Sequence, residues 1–147
     1  MTDSESQAAS VPFHMTLVLW SNPCYLPVVR AAVGQLAEVL GWNEADSRAI
    51  TLAVDEALAN VIRHAYHGRT DGRIELECLA ALDELRFRIG DRGDAPDASR
   101  ICARQVGCDE VGGLGTHIIR DVMDTVTYQS SAEGNWLTAA KRLRRQE

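Results

Sequence analysis

Apolar positions change their period along this chain, and the changes mark its elements. HMTLVLW (14–20) has the length and residue types of a strand, and SNP (21–23) then starts a helix with Ser21 or Asn22 as cap. From Cys24 to Leu40, the residues Leu26, Val29, Val33, Leu36, Ala37 and Leu40 recur at helical spacing until Gly41 stops the run. Asn43 caps a second helix, expected from about Glu44 to His67 and closed by Gly68. RIELECLA (73–80) alternates apolar and charged residues, as a strand with one buried face does. Leu82-Asp83-Glu84 turns the chain into a second alternating strand, LRFRIG (85–90). The Gly, Pro and Asp residues of DRGDAPDASR break regular structure, and the irregular stretch runs on to Gly113. THIIRDVMD (116–124) returns to helical spacing; TVTYQSS (125–131) and WLTAAKRL (136–143) read as strands joined by a turn at Glu133-Gly134-Asn135. Helices that do not alternate regularly with strands predict an α+β fold, a two-layer α/β sandwich whose mainly antiparallel mixed sheet is covered by helices.

Composition narrows the function classes. The 147 residues suit one domain, expected at 13–147 behind a flexible polar tail at 1–12. A net charge of −6 argues against a dedicated nucleic-acid binder, whose footprint is normally basic. The N-terminus lacks the pattern of a secretory signal, and no apolar run approaches the roughly 18 residues of a membrane span. A soluble, cytoplasmic protein is the expectation. Cys24, Cys78, Cys102 and Cys108 show no CxxC spacing, so neither a zinc site nor a disulfide framework is suggested. A redox switch at Cys102 and Cys108 is conceivable in a loop, but incidental reduced thiols are the simpler reading.

Three clusters carry candidate chemistry. In VDEALANVIRHAYHG (54–68), steps of four place Glu56, Asn60 and His64 on one line of an otherwise apolar helix. An amide oxygen is a hard neutral ligand suited to magnesium, and a carboxylate one turn away could accept a proton from a nucleophile. The same three residues could also simply cap or bridge neighbouring elements. Asp91-Arg92-Gly93 follows a strand; a carboxylate there can accept a hydrogen bond from an exocyclic amine such as adenine's, while glycine admits a flat ring. A plain turn uses the same residues. In VGGLGTHIIR (111–120), Gly112, Gly113 and Gly115 open onto a helix, where N–H groups and the helix dipole meet an anion; a hinge is the competing reading. No Gly-Lys-Ser/Thr follows, so this is not a P-loop. The order of the three clusters supplies the parts of one nucleotide site.

ExxxN in VDEALANVIRHAY, DxG in GDRGDAP, and GGLGTHIIRDVMD with a closing GNWLTAAKRL resemble the Bergerat-type (GHKL, histidine-kinase-like ATPase) fold. The branch they resemble is the anti-sigma-factor serine kinases, RsbW-like proteins of bacterial partner-switching systems, over about residues 12–144. The resemblance implies that the protein binds ATP with Mg2+ and phosphorylates a serine on a STAS-type anti-anti-sigma partner, with a sigma factor as a further partner. It implies Asn60 as the magnesium ligand and Glu56 as the catalytic base. Asp91 would take the adenine amine with Gly93 against the ring, and Thr138 on the last strand would help hold adenine. Gly113, Leu114, Gly115 and Thr116 would line the phosphate-covering loop, and His64 would stack or hydrogen-bond within the site. A homodimer formed through 14–40 is implied too.

The chain departs from the family after DxG, where a Pro-aromatic pair is usual and Asp94-Ala95-Pro96-Asp97 stands here. The added carboxylates would be unhelpful near phosphates unless they point outward. The departure motivates an alternative, a non-catalytic ATP- or sigma-factor-binding module of the same fold. Arg100 and Arg104 are expected to be solvated rather than phosphate-bound, and so is the basic end at Lys141, Arg142, Arg144 and Arg145. The ATPase half of a sensor histidine kinase is disfavoured, since no histidine-bearing dimerisation helix precedes the domain in this sequence.

Overall fold

The computed structural model describes residues 13–81, 83–95 and 113–143, with only the backbone course described at 113–116. Strand β1 (Phe13–Trp20) leads into a short 3-10 turn (Pro23–Tyr25), where the Asn22 side chain accepts from the Cys24 N–H. Helix α1 (Leu26–Leu40) follows, and Gly41 ends it at φ +103°, a left-handed conformation that suits a residue without Cβ. Asn43 caps α2 (Glu44–Asn60), its side chain accepting from the Asp46 N–H at 2.7 Å. Then come β2 (Arg73–Ala81), β3 (Glu84–Asp91), α3 (Gly113–Val122), β4 (Thr125–Ser131) and β5 (Gly134–Arg142).

The five strands form one sheet in the order β1-β2-β3-β5-β4. All four ladders are antiparallel, so among the described residues the sheet is not mixed. Three of the four join strands that follow one another in sequence, β1 and β2 across both long helices; only β3 and β5 pair with another strand lying between them in sequence. The registers sort the side chains onto two faces, as the two-residue period of a strand demands. Ile74, Leu76 and Cys78 of β2, Leu85, Phe87 and Ile89 of β3, and Leu137 and Ala139 of β5 are buried on one face. They pack with Val33, Leu36, Ile50, Leu58 and Ile119 of the helices in one cluster. A fully buried Phe87 or Leu58 contributes about 1.5–3 kcal/mol, so this face accounts for much of the drive to fold. Arg73, Glu75, Glu77, Arg86 and Arg88 occupy the opposite face, which no helix covers among the described residues.

The second helix departs from expectation at its end. It stops being α-helical at Asn60 and continues as a single π turn, Val61–Ala65, where the Tyr66 N–H reaches back to the Val61 carbonyl at 3.1 Å. A π turn carries an extra residue and is frequent at functional sites. The chain then leaves through His67 (φ +52°) and Gly68 (φ +78°), with the Gly68 N–H closing on Ile62 O. The tail at 1–12, Leu82, Pro96, Asp97, Arg100, Cys102, Arg104, Cys108, Gly112, Arg144 and Arg145 lie outside the described residues.

Candidate nucleotide site

Asp91 ends β3 on the helix-facing side and is 6% exposed. Its position follows from register: it sits opposite Ile74 on β2 and Asn135 on β5, one rung beyond the apolar core. Among the described residues two hydrogen bonds reach the carboxylate, and both fall on Oδ1. The Asn135 amide donates at 2.8 Å and the Gly93 N–H at 3.0 Å. Burial pushes the Asp91 pKa up, and these two bonds oppose the shift without cancelling it. No cation pairs with it among the described residues. A buried carboxylate held on one oxygen and lacking a cation is costly, and such groups cluster at functional sites.

Asn135 is the site residue that sequence reasoning missed. Glu133-Gly134-Asn135 reads as a turn, yet β5 begins at Gly134 and carries Asn135 inward, 2% exposed. Its Nδ2 also bonds the Gly93 carbonyl at 3.1 Å, and its Oδ1 accepts from Ser130 Oγ at 2.7 Å. The available signal was period two: Asn135, Leu137 and Ala139 share the core face, and the polar one stands at the strand's mouth.

Thr138 does not join Asp91. It pairs with Arg88 and Thr127, three residues from Asn135, and so projects from the opposite face of the sheet. A cavity of about 620 Å3 opens at the strand ends, lined by Arg73, Gly90, Arg92 and Trp136 and also by Asp91 and Gly93. Trp136 lies across Gly90, where a Cβ would come within 2.6 Å of the ring, and Arg88 sits 4.6 Å from the indole centroid.

Gly93 lies beside Asp91, but the reason for its lack of a side chain differs from the expected one. A Cβ there would stand 2.3 Å from the Ala65 carbonyl oxygen, so the π turn of α2, rather than a flat ring, occupies that direction. The Asp94 N–H bonds the same carbonyl at 2.9 Å. The second cluster is thereby fastened directly to the end of the helix bearing the first. Asp94 itself points outward: its carboxylate is 74% exposed and meets His67 Nε2 at 2.6 Å.

Glu56 and Asn60 are half-buried on neighbouring turns of α2. Glu56 makes a loose 3.8 Å contact with Arg63, while the adjacent Asp55 is tied to Arg30 of α1 at 3.0 Å. His64 is exposed on the π turn, where the changed angular step bends the line through Glu56 and Asn60. The glycine cluster also differs in detail. Helix α3 begins at Gly113, so Gly113, Leu114, Gly115 and Thr116 form its first turn rather than a loop before it. The N–H groups of a first turn have no intrahelical acceptor, which leaves four donors at that end. This helix packs against α2.

The donor set suits magnesium only in company. No group of three His, Cys, Asp or Glu among the described residues could cage a metal. An amide oxygen and a carboxylate on α2 match the usual magnesium habit of one or two protein ligands supplemented by phosphates and water.

The chain is similar to known proteins over most of its length. The model of the histidine kinase-like ATPase domain matches residues 19–141. The serine-protein kinase RsbW of Listeria monocytogenes is 32% identical over 120 residues, covering 76% of each chain. The chain belongs to the RsbW family of serine-protein kinases. RsbW of Bacillus velezensis is 27% identical over 120 residues, covering 76% of this chain and 75% of its own. In fold, the chain is similar to a Mycobacterium tuberculosis structure of RsbU and RsbW domains, with a TM-score of 0.65 at 21% identity over 93% of this chain and 34% of that one. It is also similar to a histidine kinase domain from Erythrobacter litoralis, with a TM-score of 0.56 at 19% identity over 82% and 60% of the two chains. The expected α+β fold and family are thus both borne out. Among the described residues, no helix is long and apolar enough to cross a membrane.

Proposed function

We propose that this protein binds ATP with magnesium and phosphorylates a serine on a STAS-type anti-anti-sigma partner, holding a sigma factor in alternation. Within the family shown above, one observation carries the reading: a buried carboxylate, Asp91, held on a single oxygen beside the end of the helix that bears Glu56 and Asn60. The other oxygen of Asp91 accepts the adenine exocyclic amine. The Asn60 amide oxygen ligates the metal, which supplies charge neutralisation at the phosphates when bound. The first-turn N–H groups of α3 meet phosphate oxygens. Glu56 accepts the serine proton as the serine oxygen bonds to the γ-phosphorus and ADP leaves. His64, exposed on the π turn, contacts the nucleotide's rim rather than the reacting atoms. The outward direction of Asp94, whose carboxylate hydrogen-bonds His67 at the surface, is compatible with an acidic residue after DxG.

The reaction belongs in the cytoplasm, where ATP and sigma factors are found. A homodimer through 14–40 is part of the same reading. It is supported by Phe13, Val18 and Trp20 on edge strand β1 and by Val28 and Val39 on α1, all exposed.

Calorimetry with ATP, with and without magnesium, tests the reading on wild type and Asn60→Ala, followed by phosphate transfer to the partner with Glu56→Ala. Magnesium-dependent binding lost in Asn60→Ala, and transfer lost in Glu56→Ala, are the expected results. Absence of ATP binding by folded wild type refutes the reading. Binding without transfer to any cognate partner leaves an inert module of the same fold.

A further inference from the structure

Tyr66 is 4% exposed and stands at the exit of the π turn. Its hydroxyl donates to the Arg73 carbonyl at 2.5 Å and accepts from the Arg92 N–H at 2.8 Å. The register of β2 and β3 gives those bonds meaning. Ile74 is the last residue paired with Asp91, so the next rung would set Arg73 opposite Arg92. There, in place of a direct N–H to carbonyl bond, the phenol oxygen bridges the two strands. The Arg92 N–H belongs to the peptide plane that follows Asp91, and the orientation of that plane fixes Asp91 ψ.

The ring is held as firmly as the hydroxyl. Gly72 gives it room, since a Cβ at that position would lie 2.4 Å from the ring. Gly72 is itself clamped by Ser21, whose hydroxyl accepts from the Gly72 N–H at 2.9 Å and donates to the Arg69 carbonyl at 2.5 Å. Burial is the largest influence on the phenol and raises its pKa. It therefore stays a neutral donor and acceptor at physiological pH.

We infer that Tyr66 is a positioning residue for base recognition: its hydroxyl replaces the last rung between β2 and β3 and so sets the aim of the Asp91 carboxylate. The inference rests on the reading of Asp91 as the adenine-amine acceptor. It links the helix bearing Glu56 and Asn60 to base selectivity without Tyr66 touching the nucleotide.

The test compares dissociation constants for MgATP and MgITP, the latter lacking the exocyclic amine, on the full chain. Wild type, Asp91→Ala, Tyr66→Phe and Ser21→Ala are measured. Wild type should prefer ATP and Asp91→Ala should not. Tyr66→Phe, which keeps the ring, should lose about fivefold to tenfold of the preference through weaker ATP binding with ITP little changed, the scale of one hydrogen bond. Ser21→Ala loosens the same region but spares the Arg92 bond, so it should melt lower and keep the preference. Lost selectivity in Asp91→Ala with full selectivity in Tyr66→Phe overturns the inference and leaves the adenine reading standing. No preference in wild type overturns both. Amide exchange of Arg92 in wild type is a second measurement that requires no variant to fold: protection is expected, and exchange at the free-peptide rate overturns the inference.

Discussion

Asn135→Ala isolates the cost of the buried carboxylate. The asparagine donates to Asp91 Oδ1 at 2.8 Å and to the Gly93 carbonyl at 3.1 Å, and accepts from Ser130 at 2.7 Å. A hydrogen bond to a charged group is worth about 1.5–3 kcal/mol and each neutral one about 1 kcal/mol net. Since Asn135 is 2% exposed and water cannot readily take its place, the loss at neutral pH should be about 3–4 kcal/mol. That is a large share of a typical 5–15 kcal/mol stability.

The same variant makes a signed statement about pH. Asp91 has its pKa raised in the folded protein, chiefly by burial. Between the ordinary carboxylate value and the raised one, the native state binds more protons than the unfolded state, so stability falls as pH rises through that window. Asn135 is the largest influence opposing the rise, so removing it lifts the Asp91 pKa further and extends the window upward. The stability gap between wild type and variant must therefore widen with pH. Urea unfolding at about pH 5 and about pH 7.5, with the wild type as reference for all other titrations, measures it. A gap near 1–2 kcal/mol at the lower pH and about 3–4 kcal/mol at the higher is expected. Equal gaps at both, or a gap below about 1 kcal/mol throughout, would refute the claim that Asn135 holds a buried charge.

Gly93→Ala places a methyl group 2.3 Å from a backbone oxygen of the π turn, and neither backbone can yield cheaply. It should cost about 1–3 kcal/mol in urea unfolding, and an unchanged midpoint would show that the helix end is not seated on this loop. Cys78 lies fully buried in β2 with its thiol pKa pushed up to about 12, whereas Cys24 is exposed. Iodoacetamide at neutral pH, read by peptide mass, should label Cys24 in the folded protein and Cys78 only after denaturation; rapid labelling of native Cys78 contradicts the packing of that strand.

The elements were legible because period is a local property. Alternation in RIELECLA and LRFRIG, helical recurrence in 24–40, and the stops at Gly41 and Gly68 each depend on residues within a few positions. The motif residues Glu56, Asn60, Asp91 and Gly93 could likewise be picked out, since helix spacing and a strand end are local facts. Even the core face of β2 and β3 follows from alternation alone.

Register and contact, by contrast, were set by the folded core and not by any local pattern. Whether Asn135 or Thr138 stands beside Asp91 depends on the pairing of β3 with β5, across 44 residues of chain, and a strand's side chains change face at every step. The π turn after Asn60 leaves no mark in composition; it appears where Ala65 and Tyr66 meet the Gly93 loop. Tyr66 reads in sequence as one more apolar ring near a helix end. Only the fold brings its hydroxyl between Arg73 and Arg92, because a hydrogen bond between distant segments is set by where the whole core places their backbones.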